Sequence, residues 1–252
     1  MTKDNMATMK RFALCLVLLW FAGPSMAGGE GGDPGTSQAP VPAKTEKTRQ
    51  PEQEAPHLDS ILSQMDASYR NLRSYRAEFE QESETKTFQR KRQTSGKVYF
   101  LKPSEMRWDY LHPEEREVYL SGETIRIYLP GRNQVIEQTL TDAMPGVAPA
   151  RLFMGVAELV GSFSVSADCA DESVADAYCL RLVPKKDKAI SVEEILLWVG
   201  KKDFLPLRTE SRDVLGNRTT ISFVKGEANV PLKEELFQFQ VPAGAEVISN
   251  TF

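Results

Sequence analysis

The dominant constraint on this chain is a period-two alternation of large apolar and polar residues that begins near Ser74 and returns in segment after segment to Pro242. "YRAEFEQES" sets Tyr75, Ala77 and Phe79 against Arg76, Glu78 and Glu80. "GKVYFLKP", "MRWDYL", "REVYLSG", "TIRIYLPG" and "NQVIEQTL" keep the rhythm. Successive side chains of a strand point to opposite faces, so each segment reads as a strand with one apolar face. Gly96, Pro103, Pro113, Gly122 and Pro130 punctuate the series at the short spacing of an antiparallel meander. After one helical interruption "FSVSAD", "AYCLRLVPK", "VEEILLWVGK", "FLPLRTESRD", "RTTISFVKG" and "FQFQVP" resume it, with "DVLGN" as a turn. About eleven strands result, and a flat sheet of that width would leave an apolar face in water. The sheet must curl or close, so a mainly β fold is expected: an incomplete, open antiparallel β-barrel.

Two helices accompany it. Leu58, Ile61, Leu62, Met65, Tyr69 and Leu72 recur at helical spacing and predict an amphipathic helix to about Asn71. "APARLFMGVAELVGSF" offers Leu152, Phe153, Val156, Leu159 and Val160, with Pro149 near its start and Gly161 near its end. The sheet is expected to wrap around both.

The N-terminal residues read differently. Lys10 and Arg11 precede the apolar run "FALCLVLLWFAG" and then "PSMA", the layout of a signal peptide over residues 1–27 with cleavage after Ala27. The run is short of the roughly 20 residues that span a bilayer. Cys15 lies inside it and follows Leu14, where a lipidation motif needs a small residue. Residues 28–57 contain ten Gly or Pro and no aromatic residue, so they read as a flexible tether before a folded domain over residues 58–252. Past the signal segment only Cys169 and Cys179 remain. In an exported chain they read as one disulfide stapling a hairpin, a short loop closure contributing about 2–3 kcal/mol. Without a CxxC spacing that bond is structural.

Composition and motifs exclude much chemistry. The net charge is −4, and without the first 27 residues it becomes −6, an acidic balance unsuited to nucleic acid. His57 ends the tether and His112 precedes Pro113, neither with a metal-ligand spacing, and no GxSxG nucleophile elbow occurs. Catalytic residues and cofactors are therefore not expected. Glu78, Glu80, Glu82 and Glu84 share one strand face and read as its solvated side rather than a calcium site. Arg90, Lys91 and Arg92 fall in a predicted hairpin loop, where they suit anionic headgroups. The inward set is Tyr75, Phe79, Val98, Phe100, Met106, Trp108, Tyr110, Val118, Leu120, Ile125, Ile127 and Leu129. Periodicity alone gives these residues a packed core. Their aromatic content, the adaptable Met106 and the scarcity of helices for so wide a sheet leave open a wall that holds an apolar guest.

The run "GKVYFLKPSEMRWDYLHPEEREVYLSGETIRIYLPGRNQV" resembles the central block of the LolA family, periplasmic carriers of outer-membrane lipoproteins. The likeness lies in a strand ending in a basic residue and Pro, an aromatic strand with Trp, another Pro, and a strand ending in a Ser-x-Gly turn. "YRAEFEQ", "LRLVPK", "DVLGNRTTISF" and "FQFQVPAGAEVI" extend the resemblance over most of residues 58–250. It implies an open barrel with a helical lid, acting as a monomer without enzymatic activity. Its cavity takes up the acyl chains of lipoproteins handed over by an inner-membrane ABC-type releasing complex and passed to an outer-membrane receptor. The resemblance places Met106, Trp108, Tyr110, Val118 and Leu120 at the cavity and Leu152, Phe153 and Val156 on the lid helix. Lys102 stands where the family often has an arginine that latches the lid, and without the planar guanidinium fork the latch should be looser. Cys169, Cys179 and the tether lie outside the family pattern. A sensing or receptor domain of the same fold is the alternative, although a receptor needs a lipid anchor that this N-terminus lacks.

Overall fold

The computed structural model describes residues 57–250, apart from 141–154, 170–172 and 187–189. Among the described residues one sheet gathers β1 (Ser74–Thr85), β2 (Arg90–Leu101), β3 (Glu105–His112), β4 (Arg116–Ser121), β5 (Thr124–Leu129) and β6 (Gln134–Thr139). It continues through β7 (Phe163–Ser166), β8 (Ala177–Pro184), β9 (Val192–Gly200), β10 (Pro206–Asp213), β11 (Arg218–Ala228) and β12 (Glu246–Asn250). The spatial order is β12-β6-β5-β4-β3-β2-β1-β11-β10-β9-β8-β7, two meanders fused where β1 pairs with β11. β12 and β7 form the edges and are not paired with each other, so the sheet is open, as the alternation predicts.

The last strand departs from expectation. "FQFQVP" forms no strand: Glu234–Phe237 make a single 3-10 turn, and the ladder resumes only with β12, which runs parallel to β6. The reason is a second apolar patch on the convex face. Phe237 is buried, and the Phe239 ring sits 5.0 Å from Tyr119 and 6.4 Å from Tyr128. Arg107 donates from Nη1 to the carbonyl of Leu236 at 3.1 Å and fixes the segment there. The alternation of Phe237 and Phe239 is real, but it is spent on a face rather than in a ladder.

Helix α1 (Leu58–Asn71) follows the helical spacing and buries Ile61, Met65 and Tyr69. Helix α2 (Val156–Ser162) buries Val156 and Leu159. The residues expected to begin this helix, Leu152 and Phe153 included, lie outside the described ones. α2 packs against α1 and against β7. Both helices and the inner sides of β1–β5, β7–β9 and β11 share one hydrophobic cluster, which requires the sheet to curl around them. The Cys169–Cys179 disulfide is formed, with the Cα atoms 5.5 Å apart. Cys179 pairs across the ladder with Trp198, whose buried ring stacks beneath the Arg208 guanidinium at 4.9 Å on the convex face.

Candidate functional site

Residues directly opposite in an antiparallel ladder share a face, so the register draws the inner surface row by row. One row runs Val98, Trp108, Val118, Ile127, Ile136 across β2 to β6. A second runs Tyr75, Phe100, Met106, Leu120, Ile125 across β1 to β5. All five inner-face residues that the resemblance assigns to lipid binding, Met106, Trp108, Tyr110, Val118 and Leu120, therefore lie on one contiguous surface.

The aromatic centre of this surface depends on a missing side chain. Gly96 lies opposite both Phe79 and Tyr110. Its empty position lets the Phe79 ring approach Trp108 to 4.9 Å and Tyr110 to 5.0 Å, both edge-on, with Phe223 at 6.1 Å from Trp108. A Cβ on Gly96 would stand 1.9 Å from the Asp109 carbonyl oxygen and 2.9 Å from the Phe79 ring. The pairing of β2 with β3 also shifts register at Ser95 and Gly96, the kink that so tight an approach needs.

Accessibility changes along the rows. Met106, Leu120 and Ile125 are buried, and Trp108 keeps only 7% of its surface. Tyr110, Val118 and Ile127, one or two rungs on, are half-buried against the same cluster. The wall is thus covered at the end near Tyr75 and partly open at the end near Tyr110. Polar groups collect at the open end. Arg116 lies opposite Tyr110 with its guanidinium 3.8 Å above the ring, and Tyr110 donates its hydroxyl to Gln81 Oε1 at 3.3 Å. Burial pushes the Tyr110 phenol up while Arg116 pulls the other way. Sequence reading missed Arg116, and met Gln81 only as part of the "YRAEFEQ" resemblance with no role at the site, although both fall on the inward phase of their strands.

Lys102 closes the covered end. Its Nζ donates to the carbonyls of Tyr69 at 2.9 Å and Arg70 at 2.8 Å, in the last turn of α1. A cation there satisfies orphan carbonyls and meets the negative end of the helix dipole. Val156 joins the shared core on α2. The glutamates of β1 face outward and are held by cations: Lys225 to Glu78, Lys91 to Glu82 and Arg218 to Glu84, at 2.8, 3.2 and 2.8 Å. Among the described residues no helix is long and apolar enough to cross a membrane.

A single unclosed sheet with a graded apolar interior and helices laid against it defines the class: an open barrel built around an apolar inner face. The family model for LolA, the outer membrane lipoprotein carrier protein, matches residues 70–240. The chain belongs to the LolA family. The outer-membrane lipoprotein carrier protein of Cupriavidus taiwanensis is 32% identical over 158 residues, covering 62% of this chain and 71% of the relative. That of Methylobacillus flagellatus is 27% identical over 189 residues, covering 75% and 89%. Among solved structures, a LolA superfamily protein from Nitrosomonas europaea is similar over 73% of this chain and 99% of its own, at 15% identity and a TM-score of 0.42. An uncharacterized conserved protein from Thermus thermophilus is similar over 76% and 98%, at 16% identity and a TM-score of 0.48.

Proposed function

We propose that this chain is a non-enzymatic periplasmic carrier, exported by its N-terminal signal, that holds the acyl chains of lipoproteins against the inner face of the sheet. It would receive them from an inner-membrane ABC-type releasing complex and deliver them to an outer-membrane receptor. The observation that carries the reading is the row Val98, Trp108, Val118, Ile127, Ile136, continuous over five strands in a chain of this family. Acyl chains need such a surface: at roughly 0.8 kcal/mol per methylene, a sixteen-carbon tail gains on the order of 12 kcal/mol from apolar surroundings. Because Met106, Trp108 and Leu120 are buried in the resting state, cargo would enter from the Tyr110 end and displace the cover above them. Lys102 would set how firmly α1 holds that cover, and Leu152, Phe153 and Val156 would belong to the part that lifts.

Delipidated protein is expected to bind an apolar fluorescent probe with a shift in tryptophan emission, and to release lipoproteins from spheroplasts. Trp108→Ala should weaken the probe at least several-fold and lower stability by about 3–5 kcal/mol, the usual cost of truncating a buried aromatic. Folded protein that takes up no probe and releases no lipoprotein would end the carrier reading.

A further inference from the structure

The three most exposed large apolar side chains of the described residues are Phe88 at 68%, Val214 at 72% and Leu215 at 72%. They are far apart in sequence but sit on two adjacent turns. β1 pairs with β2 as far as Thr85 opposite Arg90, and with β11 as far as Glu84 opposite Arg218, so both turns cap the same strand end. The Lys86 amide donates to Asn217 Oδ1 at 3.1 Å, tying one turn to the other. The second turn is stiff. Asp213 accepts from the amides of Leu215 and Asn217, each at 2.9 Å, and from Asn217 Nδ2 at 2.8 Å. Gly216 supplies the positive φ of 79°. Turn apices favour Gly, Pro, Asn, Asp and Ser. Nothing in the geometry of this one calls for Val and Leu, so their presence needs another cause.

Charge indicates which one. Nearby Lys91, Arg92 and Arg218 are held by Glu82, Glu114 and Glu84. Lys86 and Arg90, flanking Phe88, pair with no carboxylate among the described residues and are exposed. The tip also projects past β3. β3 pairs with β2 only from Leu101 to Ser95, which leaves the outer edge of Arg90–Thr94 free over roughly 17 Å at strand rise, while β11, β10 and β9 reach the same level on the other side. This is the same end of the strands as the half-open Tyr110 end of the inner face.

We propose that Phe88, Val214 and Leu215, with Lys86 and Arg90, form a docking tip that enters the headgroup region of an anionic bilayer. Apolar side chains on a protruding, rigid turn suit shallow insertion, and unpaired cations beside them suit anionic headgroups. The groove beside the tip is charged, lined by Lys86, Arg212 and Arg218 with Glu84, Glu194 and Glu210, and Phe88, Val214 and Leu215 lie outside it, so these three side chains fit a fluid lipid surface better than a shaped protein pocket. The tip directs the open end of the sheet toward the membrane, and it holds whether or not the inner face carries acyl chains.

Flotation of the full chain with phosphatidylcholine vesicles, with and without phosphatidylglycerol, tests this. Partition is expected to be about fivefold stronger with the anionic lipid and to fall with salt. Val214→Ser with Leu215→Ser, or Phe88→Ser, should lower it about fivefold in a chain with the same N-terminus and unchanged melting temperature. Lys86→Glu with Arg90→Glu should remove the preference for phosphatidylglycerol. In a Phe88→Trp variant, brominated lipid should quench the added emission. Unquenched emission, or partition unaltered by the serine variants, overturns the proposal. Loss of lipoprotein transfer in those variants with partition intact also overturns it, by assigning the tip to a protein partner.

Discussion

Gly96 is a residue whose value lies in what it leaves out. With the Asp109 carbonyl 1.9 Å from where its Cβ would lie, no rotamer change relieves Gly96→Ala, because the clash is with backbone. The variant is expected to lose more than the about 1–3 kcal/mol typical of overpacking, read as a lower denaturation midpoint, and to disturb Trp108 emission. Lys102 acts by the opposite means, adding contacts. Lys102→Met removes two charge-assisted bonds to carbonyls of α1 and should cost about 1–2 kcal/mol, less than a buried pair because the site is exposed. Hydrogen exchange should locate that loss in the amides of α1 and leave β9 and β10 protected. Uniform loss across the sheet would show that Lys102 does not act through α1.

At the level of elements, the strands were legible where only one phase is apolar. In β1 and β3 the inward residues could be read directly, and the ladder confirms their grouping on one face. β4, β5 and β6 are different because both phases carry apolar residues. Leu120, Ile125 and Ile136 face in, while Tyr119, Tyr128 and Val135 face out under Phe237 and Phe239. A strand apolar on both sides is covered on both sides. That was the available signal that something must lie on the convex face, and "FQFQVP", assigned to a strand by its period, is the segment that lies there. Period alone did not reveal it, because an extended segment packed flat on a sheet alternates just as a strand does. The polar end of the inner face was hidden for a related reason: a charged residue opening a strand, such as Arg116, reads as solvent-facing until its pairing with Tyr110 is known. Phe237→Ala should lower stability by about 3–5 kcal/mol while leaving apolar probe affinity per folded molecule unchanged, since it strips the face opposite the proposed cargo surface. A parallel fall in probe affinity would refute that separation of faces.

Across the whole molecule, burial leaves a signature in alkaline solution. Of the seven tyrosines, Tyr69, Tyr75, Tyr99, Tyr110 and Tyr119 have phenols raised above the ordinary value of 10.0, with burial the leading cause in each. A raised phenol means that above this value the unfolded chain holds fewer protons than the folded one. Stability is therefore full below about pH 10 and declines as pH rises beyond it. Phenolate absorbance should rise in two phases, the later one coinciding with loss of the far-ultraviolet β signal. Ionisation in a single phase, with the fold intact, would contradict the burial that raises these five.

A sheet that never closes has two rims, and each rim is a template on which another chain can add a strand. Here both are brief, four residues in β7 and five in β12, and the latter is laid down by the C-terminal segment itself, parallel to its neighbour. Keeping the barrel ajar thus carries a hazard of fibrillar self-assembly that the molecule limits by trimming its own borders. Variants that lengthen β7 or peel away β12 are the ones in which polymerisation should first be sought.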